Sequence, residues 1–330
     1  MRRLSFLGLL LLATCGGSKS AGAIDPGTDA STLADTGTPP PADGGDGAAA
    51  HPPPDGGTGG DSGPYDGGVG PANLRIAAAN LSSGGSQSYD PGEGIRILQG
   101  LKPDIVLLQE FNYGTNSDTD TRKMIDTAFG PSFSYFRETG AQIPNAVVSR
   151  WPILASGTWT DPQVANRAFA YAKLGIPGPH PLWAVSMHLL TSGGTERDLE
   201  AKAVVAQVGA MVPKDDLLVI GGDFNTSTRG EACINTFGAI VAVGGPFPSD
   251  GTGNDNTSGT RTKPHDWVLA SPALAALQVP TVIGANSFAA GLVFDSRVYT
   301  PIADVPPVLA TDSAASNMQH MAVVKDFHLQ

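Results

Sequence analysis

From residue 73 onward, apolar and polar positions form short segments that Gly, Pro and Asp turns separate. "NLRIAAANLS" alternates at first and then becomes uniformly apolar, which predicts a sheet strand that ends at Asn80. "GEGIRILQGLKPD" places Ile95, Leu98 and Leu101 at helical spacing, and "DIVLLQE" is a short apolar run that ends in a Gln-Glu pair. A strand, a helix and a strand within about thirty residues predict a βαβ unit.

The middle of the chain is typical of an antiparallel meander. Five short segments carry aromatic and β-branched residues between turns, namely "FSYFRE", "NAVVSR", "PILASGTWT", "RAFAYAKLGI" and "LWAVSMHLL". "ERDLEAKAVVAQVGAM" predicts a helix whose apolar face holds Leu199, Ala203, Ala206 and Ala210. "LLVIGGD", "DWVLAS" and "HMAVVKDF" predict three further strands. Together these segments predict an α/β fold in which two mixed β-sheets pack face to face, with helices outside.

The first fifteen residues have the order of a secretion signal. "MRRLSFLGLLLLATC" has two arginines, then an apolar run, then small residues and Cys15. Its end, "LATC", resembles the bacterial lipobox, in which the cysteine is lipidated, although Thr14 departs from the usual Gly, Ala or Ser. We expect a signal of the lipoprotein type over residues 1–15, with a plain secretion signal as the alternative.

Residues 16–72 consist largely of Gly, Pro, Asp, Ala, Thr and Ser. Such a segment buries too little apolar surface to offset its ordering entropy, so we expect a disordered tether. Behind a lipidated cysteine, it would hold a domain off a membrane. Residues 73–330 contain no second low-complexity break and are predicted to form one catalytic domain.

Charge and cysteine content narrow the classes of function. The chain carries a net charge of −11, and residues 73–330 hold 17 Lys and Arg against 23 Asp and Glu. This balance excludes the basic footprint of a tight nucleic-acid binder, but it allows an enzyme that meets phosphates through metal ions and a few arginines. The only cysteines are Cys15 and Cys233, so we expect no disulfide framework and interpret Cys233 as a small buried residue.

Chemically capable side chains stand at the ends of several predicted strands. In open α/β folds, ligands gather where strands end. Each residue alone has an ordinary structural alternative, such as a helix cap, a surface charge or a satisfied histidine. A carboxylate, an amide and two imidazoles together are what metal-assisted phosphate-ester hydrolysis uses. The strand-end residues are Asn80, Glu110, His188, Asp223, Asn225, Asp266 and His320.

These motifs resemble a known family when they are taken in order. "AAANLS", "LLQE", "NAVVSRWPI", "SMHL", "GGDFN", "HDWVLAS" and "MQHMAVV" are similar to the successive motifs of the endonuclease/exonuclease/phosphatase superfamily, the DNase I-like hydrolases. "GDFN" after an apolar strand is the most specific of them. The resemblance implies a four-layer α/β sandwich, which agrees with the segments described above.

The resemblance implies that Glu110 is the principal ligand of a Mg²⁺ ion, with Asn80 nearby; Mn²⁺ or Ca²⁺ are alternatives. Mg²⁺ suits one or two carboxylates with waters and a phosphate oxygen. One position departs from the family, which usually has Asp directly before the final His, where this chain has Gln319. An amide brings no charge, so metal binding could be weaker. Asp312, seven residues earlier, is a candidate to compensate.

The other implied roles concern the attacking water and the phosphate. Asp223 would orient or deprotonate the water, and Asn225 would hold a phosphate oxygen. His320 would act as a general acid/base or charge stabiliser, and Asp266 would fix its tautomer. His188 would bind the phosphate or assist the leaving group.

Three further residues are candidate contacts to the substrate phosphate. They are Arg167 and Lys263, which stand beside motif strands, and Asn145 in "NAVVSR". For the two cations, the alternative is a solvated surface charge.

The first functional hypothesis is an exported, divalent-metal-dependent phosphodiesterase, a nuclease acting on DNA or RNA. The second is hydrolysis of a phospholipid, sphingomyelin or inositol-phosphate head group. The third is a surface interaction module with weakened catalysis, which only Gln319 favours. We expect a monomer that meets the membrane only through its N-terminal lipid anchor, as an outer-membrane or cell-surface lipoprotein, or that is secreted.

Overall fold

The computed structural model describes residues 72–330. The predicted signal segment and all but the last residue of the predicted tether lie outside the described residues. Within residues 72–330, strands β1 to β14 span Ala72–Ala79, Ile105–Leu108, Ser134–Arg137, Ala146–Ser149, Ile153–Trp159, Phe169–Leu174, Leu182–His188, Leu217–Asp223, Asp266–Ala270, Gln278–Val279, Thr281–Ile283, Asn286–Phe288, Leu292–Phe294 and Ala322–Leu329. Helices α1 to α5 span Glu93–Leu101, Asp118–Ala128, Gly194–Met211, Ala232–Phe237 and Pro272–Ala275. Two 3₁₀ turns span Ile302–Asp304 and Asp312–Ala314.

The first sheet has the strand order β10-β14-β1-β2-β4-β3, and β13 also pairs with β14. Its β1–β2 pair is parallel, with α1 as the connection, and its other pairs are antiparallel. The predicted βαβ unit is therefore confirmed. The helix forms over the expected residues because Ile95, Leu98 and Leu101 are buried along one face.

The second sheet has the order β5-β6-β7-β8-β9, and only β7 and β8 in it are parallel, joined through α3. A separate hairpin is formed by β11 and β12. The two large sheets contact each other: β1 and β14 contact β9, while β2 contacts β7 and β8. The predicted α/β fold of two mixed sheets packed face to face is confirmed.

Alternation along the strands of the second sheet divides their side chains between two cores. In β7, Leu182 and Ala184 join the core shared with the first sheet, whereas Trp183 and Val185 join a second core. That second core lies against helices α3 and α4, and it includes Cys233, which is buried as predicted. Both faces of β7, β8 and β9 are covered, so these strands are almost uniformly apolar, whereas the edge strand β5 is largely exposed.

The five middle segments form strands, but they do not form one meander. Strands β3 and β4 pair in the first sheet, and β5, β6 and β7 pair in the second. The chain crosses between the sheets at Trp151 and Pro152. A period-two pattern reports that a segment is extended and which side chains share a face, but not which sheet it joins.

The prediction of which face of α3 is buried was wrong. Leu199 is 44% exposed, whereas Arg197, Glu200, Ala201, Val204 and Val208 are buried. The helix thus turns two charged side chains inward, and both have partners there. Among the described residues, no helix has the length and apolar character needed to span a membrane.

Candidate active site

Three polar residues lie in one row across neighbouring strands of the second sheet. His188 ends β7 opposite Asp223, which ends β8, and Asp223 is in turn opposite Asp266, the first residue of β9. Directly opposed residues on neighbouring strands point to the same face of a sheet. The register therefore gathers an imidazole and two carboxylates at one edge.

Two glycines before Asp223 allow this strand to pass between its neighbours. A Cβ on Gly221 would lie 2.4 Å from the carbonyl oxygen of Trp267. A Cβ on Gly222 would lie 2.1 Å from the carbonyl oxygen of Met187, and Gly222 has a φ of +130°. Only glycine combines this backbone conformation with so little space. The "GGD" sequence thus sets the position of the carboxylate that follows.

His320 lies between the two carboxylates of the row. Its Nδ1 is 3.0 Å from Asp266 Oδ2, and its Nε2 is 3.2 Å from Asp223 Oδ2. The Nε2 atom of His188 is 3.4 Å from the same Asp223 oxygen. All four side chains are almost completely buried. They form one cluster, as the sequence predicted.

The charges of this cluster favour an ion pair at neutral pH. Burial alone would lower the pKa of His320, but the charges of Asp223 and Asp266 outweigh it and raise that pKa to about 10. Burial raises the pKa of Asp266 to about 6, against the lowering effect of His320. Near pH 7, these pKa values favour a protonated His320 beside an ionised Asp266. A proton is held there in position to be donated.

The first sheet contributes Asn80 and Glu110, which follow the parallel strands β1 and β2. Asn80 Nδ2 donates to Asp223 Oδ2 at 3.0 Å, which connects the two sheets. Glu110 accepts hydrogen bonds from Ser82 Oγ at 2.5 Å and from Gln87 Nε2 at 3.3 Å. Its φ of +50° is unusual for a residue other than glycine. The Glu110 carboxylate is thus held by two hydrogen bonds on a left-handed residue just after β2.

Asn225 adopts a similar left-handed conformation, with a φ of +51°. Its backbone N–H donates to Asp223 Oδ1 at 2.9 Å, and its Nδ2 donates to the carbonyl oxygen of Leu189 at 3.0 Å. Asn tolerates this conformation better than most residues. β8 ends at Asp223, so Asn225 lies in the turn two residues after the strand, and this turn holds the residue beside the carboxylate.

Arg167 is 4% exposed and its guanidinium contacts the chain itself. Its Nε donates to the carbonyl oxygen of His188 at 2.6 Å, and its Nη2 donates to that of Leu189 at 3.0 Å. Leu189 therefore receives donors from both Arg167 and Asn225. These contacts secure the backbone that carries His188, which differs from the predicted contact with substrate phosphate.

Asn145 is fully buried, and its side chain also bonds the chain: Nδ2 donates to the Ala168 carbonyl oxygen at 2.6 Å. Its Oδ1 is a buried acceptor without a hydrogen-bond partner. Lys263 is half-buried, and its backbone bonds Thr257 and Ser258 in the loop before β9. The hypothesis of phosphate contacts at Asn145 and Lys263 stays a prediction.

Three buried acids on which the charge of Arg167 acts were not foreseen, namely Glu138, Asp161 and Glu200. Glu138 accepts from the Asn145 and Ala168 backbone N–H groups at 2.5 and 2.6 Å, and both oxygens of Glu200 lie 3.0 Å from the Leu190 N–H. Asp161 accepts from the backbone N–H groups of Gln163 and Val164, and its charge also acts on Glu200. Burial raises the pKa of Glu138 to about 7 and that of Glu200 to about 9. This group supports the segment after His188.

Other neighbours of the site also escaped the sequence reasoning. The His265 ring lies 5.6 Å from that of His320, centroid to centroid, and directly precedes Asp266 in the chain. Ser82 stands two residues after Asn80, a spacing that places it on the same side of an extended segment. Either position could have been found from the motif residues beside it.

Gln319 is half-exposed, and its backbone carbonyl accepts a hydrogen bond from the Gly259 N–H at 2.5 Å. Asp312 is 1% exposed and forms an ion pair with Arg96 of α1 at 2.6 Å. Its carboxylate also accepts from the Leu309 N–H. These contacts hold the Asp312 carboxylate at α1, so it is not placed to supply the charge that Gln319 lacks.

The group Asp223, Asp266 and His320 also has the ligand atoms that a metal site needs, within 4.8 Å of one another. In this arrangement, however, the imidazole nitrogens already face the two carboxylates. The geometry is that of a histidine held for proton transfer, with a carboxylate on each side.

The sequence matches the family model described as Endonuclease/Exonuclease/phosphatase family over residues 87–294. A search of curated proteins found no significant match. Among solved structures, an endonuclease/exonuclease/phosphatase from Bacteroides vulgatus is similar at 17% identity and a TM-score of 0.52, covering 78% of this chain and 100% of its own. One from Beutenbergia cavernae has 16% identity, a TM-score of 0.53 and coverages of 78% and 72%. A mannosyl-6-phosphatase from Bacteroides thetaiotaomicron is similar at 14% identity and a TM-score of 0.50, covering 78% of this chain and 100% of its own. The shared feature is the fold.

Proposed function

Because the chain belongs to the endonuclease/exonuclease/phosphatase family, whose members act on phosphate esters, we propose that it is a divalent-metal-dependent phosphodiesterase that cleaves nucleic acid. One observation carries the proposal. Asp223, Asp266 and His320 converge at one end of the sandwich, where Asn80 reaches them from the facing sheet. We propose a phosphodiester as the substrate because carboxylates, an amide and an imidazole are the groups that metal-assisted phosphate-ester hydrolysis uses.

A divalent cation fits beside Glu110 and Asn80. The two residues follow parallel strands that are in register up to Ala79 and Leu108, so both lie at the same sheet edge. Asn80 Oδ1 is a buried acceptor without a hydrogen-bond partner, and Glu110 supplies a carboxylate held by neutral donors. Such oxygen ligands suit Mg²⁺. When bound, the ion would polarise a phosphoryl oxygen and offset its charge.

Asp223 is the residue proposed to orient and deprotonate the attacking water. Its two oxygens are fixed by Asn80 on one side and by the Asn225 backbone on the other. In-line attack on phosphorus depends on positioning and charge stabilisation, so a rigid acceptor is what the step requires. Asn225 Nδ2 uses one N–H on Leu189 and has a second to offer to a phosphate oxygen.

His320 is proposed to supply a hydrogen bond and a proton on the phosphate side. With Nδ1 held by Asp266, its Nε2–H points towards Asp223. A phosphoryl oxygen that enters beside Asp223 competes for this N–H, and the imidazolium charge stabilises it. His188 stands on the other side of Asp223 and is proposed to assist the leaving group.

The experiment is incubation of the full chain with plasmid DNA, RNA, sphingomyelin and a generic phosphodiester, each with Mg²⁺ or with EDTA. We expect cleavage of nucleic acid that EDTA abolishes and that His320→Ala removes. His328→Ala is the matched control, since that exposed histidine bonds Asn73 at the far end of β14. It should retain full activity.

The other outcomes separate the alternatives. Release of a lipid head group without cleavage of nucleic acid would make a phospholipid the substrate in place of nucleic acid, and metal-dependent hydrolysis of a phosphate ester would remain the reaction. Inactivity towards every substrate, with no Mg²⁺ binding by calorimetry, would overturn the proposal and favour an interaction module.

We further propose that the enzyme acts outside the cytoplasm, held at a membrane through Cys15. The support is the charge order and the "LATC" end of the N-terminal sequence. Labelled palmitate should enter the unmodified chain and not the Cys15→Ser variant. Unlabelled protein in the medium would instead indicate plain secretion, and protein retained in the cytoplasm would refute export.

A further inference from the structure

The loop that joins β1 to α1 lies beside both residues proposed to hold the divalent cation. Residues 81–92, which we call the β1–α1 loop, begin directly after Asn80. Near the other end of the loop, Ser88 forms a parallel bridge with Asn112, which stands two residues after Glu110. The loop thus starts at one proposed ligand and pairs beside the other. A residue that fastens this loop to the two strand ends also fixes the spacing of the ligands.

Tyr89 of the β1–α1 loop is fully buried between these strand ends. Its hydroxyl oxygen accepts a hydrogen bond from the Leu81 N–H at 3.1 Å. Its O–H faces two carbonyl oxygens, that of Ala79 at 3.1 Å and that of Gln109 at 3.3 Å. Two of these partners flank the first proposed ligand in the chain, and the third directly precedes the second ligand. One hydroxyl therefore connects the backbone of both ligands.

This hydroxyl acts where the ladder between β1 and β2 comes to its end. The parallel register stops at Ala79 and Leu108, and the next contact, from the Gln109 N–H to the Ala79 carbonyl oxygen, is long at 3.4 Å. Glu110 then turns into a left-handed conformation. Buried backbone groups need hydrogen-bond partners. The phenol thus supplies a cross-strand contact at the point where the sheet no longer makes one.

The phenol ring is held in place by its own packing. It meets the Phe111 ring edge to face, with the two centroids 6.0 Å apart. Helix α1 approaches it closely, since a Cβ on Gly94 would lie 3.1 Å from Tyr89 Cδ1. Burial raises the pKa of Tyr89, so its hydroxyl stays protonated at neutral pH. The hydroxyl is therefore a fixed point between the two strand ends.

The same loop also holds the Glu110 carboxylate. Ser82 Oγ donates to one carboxylate oxygen, and Gln87 Nε2 donates to the other. Gln87 has a φ of +56°, a conformation that is costly for a residue other than glycine and that persists where the surrounding structure requires it. Hydrogen bonds of this kind orient carboxylates that bind metal ions.

We propose that the β1–α1 loop positions the ligands of the divalent cation, with Tyr89 as the positioning residue that sets the spacing between Asn80 and Glu110. Ser82 and Gln87 orient the carboxylate. The inference rests on the proposed function, because the loop has this role only if Asn80 and Glu110 bind the ion. Tyr89 acts through the backbone and does not contact the ion. Ligands that are already spaced need less ordering when the ion binds, which strengthens the binding.

The test is calorimetric titration of the full chain with Mg²⁺ in the absence of substrate. Tyr89→Phe keeps the ring and its contact with Phe111 but removes the hydroxyl. We expect its Kd for Mg²⁺ to rise by about tenfold. Because both ligands are still present, the rate of phosphodiester hydrolysis should recover towards that of the parent chain at saturating Mg²⁺.

Tyr299→Phe is the matched control. That tyrosine is also buried, and its hydroxyl donates to the Ile283 carbonyl oxygen at 3.2 Å and accepts from Asn286 Nδ2 at 3.3 Å, both in the β11–β12 hairpin. Its loss should lower the midpoint of urea unfolding, as in Tyr89→Phe, and leave the Kd for Mg²⁺ unchanged. Equal Kd values in the two variants would overturn the positioning role and leave Tyr89 a purely structural residue.

Gln87→Leu keeps the proposal testable if Tyr89→Phe does not fold, because Gln87 is only half-buried. The change removes a donor from the Glu110 carboxylate and should weaken Mg²⁺ binding in the same titration. Gln99→Leu is its control, since that half-buried glutamine of α1 bonds the Thr127 carbonyl oxygen. A Kd in Gln87→Leu equal to that of Gln99→Leu would overturn the orienting role of the loop.

The parent chain separates a failure of this inference from a failure of the proposed function. A parent chain that binds no Mg²⁺ would refute the proposed function and the positioning role with it. A parent chain that binds Mg²⁺ and cleaves its substrate, while Tyr89→Phe binds the ion equally well, would refute the positioning role alone.

Discussion

Replacement of Gly222 by alanine tests whether the two glycines before Asp223 are required by space and backbone conformation. The new Cβ would lie 2.1 Å from the Met187 carbonyl oxygen and 2.6 Å from Gln109 Nε2. Both atoms belong to packed strand ends, so neither can move away freely. The φ of +130° adds strain that a side chain does not tolerate well.

The magnitude follows from these two effects. A non-glycine residue in such a conformation costs about 1–3 kcal/mol, and overpacking of a close-packed interior costs about 1–3 kcal/mol more. The free energy of unfolding should therefore fall by about 2–6 kcal/mol, against a total of roughly 5–15 kcal/mol for a typical domain. Catalytic activity should fall as well, because Asp223 is the next residue.

The assay is urea unfolding followed by tryptophan fluorescence, with the midpoint and slope measured for each variant. Gly209→Ala is the matched control: a Cβ there has no atom within 4 Å, and the residue lies within α3. That change should stabilise the chain by about 0.5–1 kcal/mol. If Gly222→Ala unfolds within about 1 kcal/mol of the parent chain, the steric reasoning is refuted.

Three further predictions concern the surroundings of the site. Arg167→Ala should lower kcat and stability with little change in KM, because the His188 carbonyl oxygen loses its arginine donor and that of Leu189 keeps only Asn225; a buried carbonyl left without its donor costs about 1–3 kcal/mol. The exposed Arg150→Ala is the control, and a purely KM effect would indicate substrate contact instead. Stability should fall as the pH rises from about 4.3 to about 9, since burial raises the pKa of Glu200 to about 9 and the folded chain binds the extra proton. Glu200→Gln should flatten that part of the stability profile measured by urea unfolding, and an unchanged profile would contradict it. Gln319→Asp should raise activity at low Mg²⁺ if the position touches the metal, and equal Mg²⁺ titrations would exclude that contact.

The gathering of the candidate site residues could be predicted because it depends on local rules. His188, Asp223 and Asp266 each terminate or begin an apolar strand, and strand ends are readable from hydrophobic runs. Once those strands are neighbours in one sheet, the register brings the three side chains together. The order of motifs supplied the remaining step, namely that these strands are neighbours.

The face of α3 could not be predicted in the same way. Its sequence offered Leu199 and several alanines on one side, and apolar residues are the usual choice for burial. The structure instead buries Arg197 and Glu200, which find partners in the loop after β7 and in Glu231. Charged residues are buried when they are paired, and the partners come from distant parts of the chain.

The supporting role of Arg167 was hidden for the same reason. Its position beside a motif strand favoured a contact with phosphate, but its guanidinium donates to the Asn166 side chain and to two backbone carbonyls 21 and 22 residues away. The sheet assignment of β3 to β7 likewise depends on long-range packing. A pattern of period two reveals a strand, whereas its neighbours are decided by the whole core.

The Mg²⁺ dependence of phosphodiester hydrolysis by Glu110→Gln tests the central claim most directly. The full chain should hydrolyse a chromogenic phosphodiester in Mg²⁺ and lose that activity in EDTA. Glu110→Gln should need about tenfold or more Mg²⁺ for half its maximal rate, because the ion loses its principal carboxylate. Glu196→Gln, in the first turn of α3, should titrate like the parent chain. Hydrolysis that persists in EDTA, or a Glu110→Gln titration identical to that of the parent chain, would contradict a metal-dependent phosphodiesterase built on Glu110.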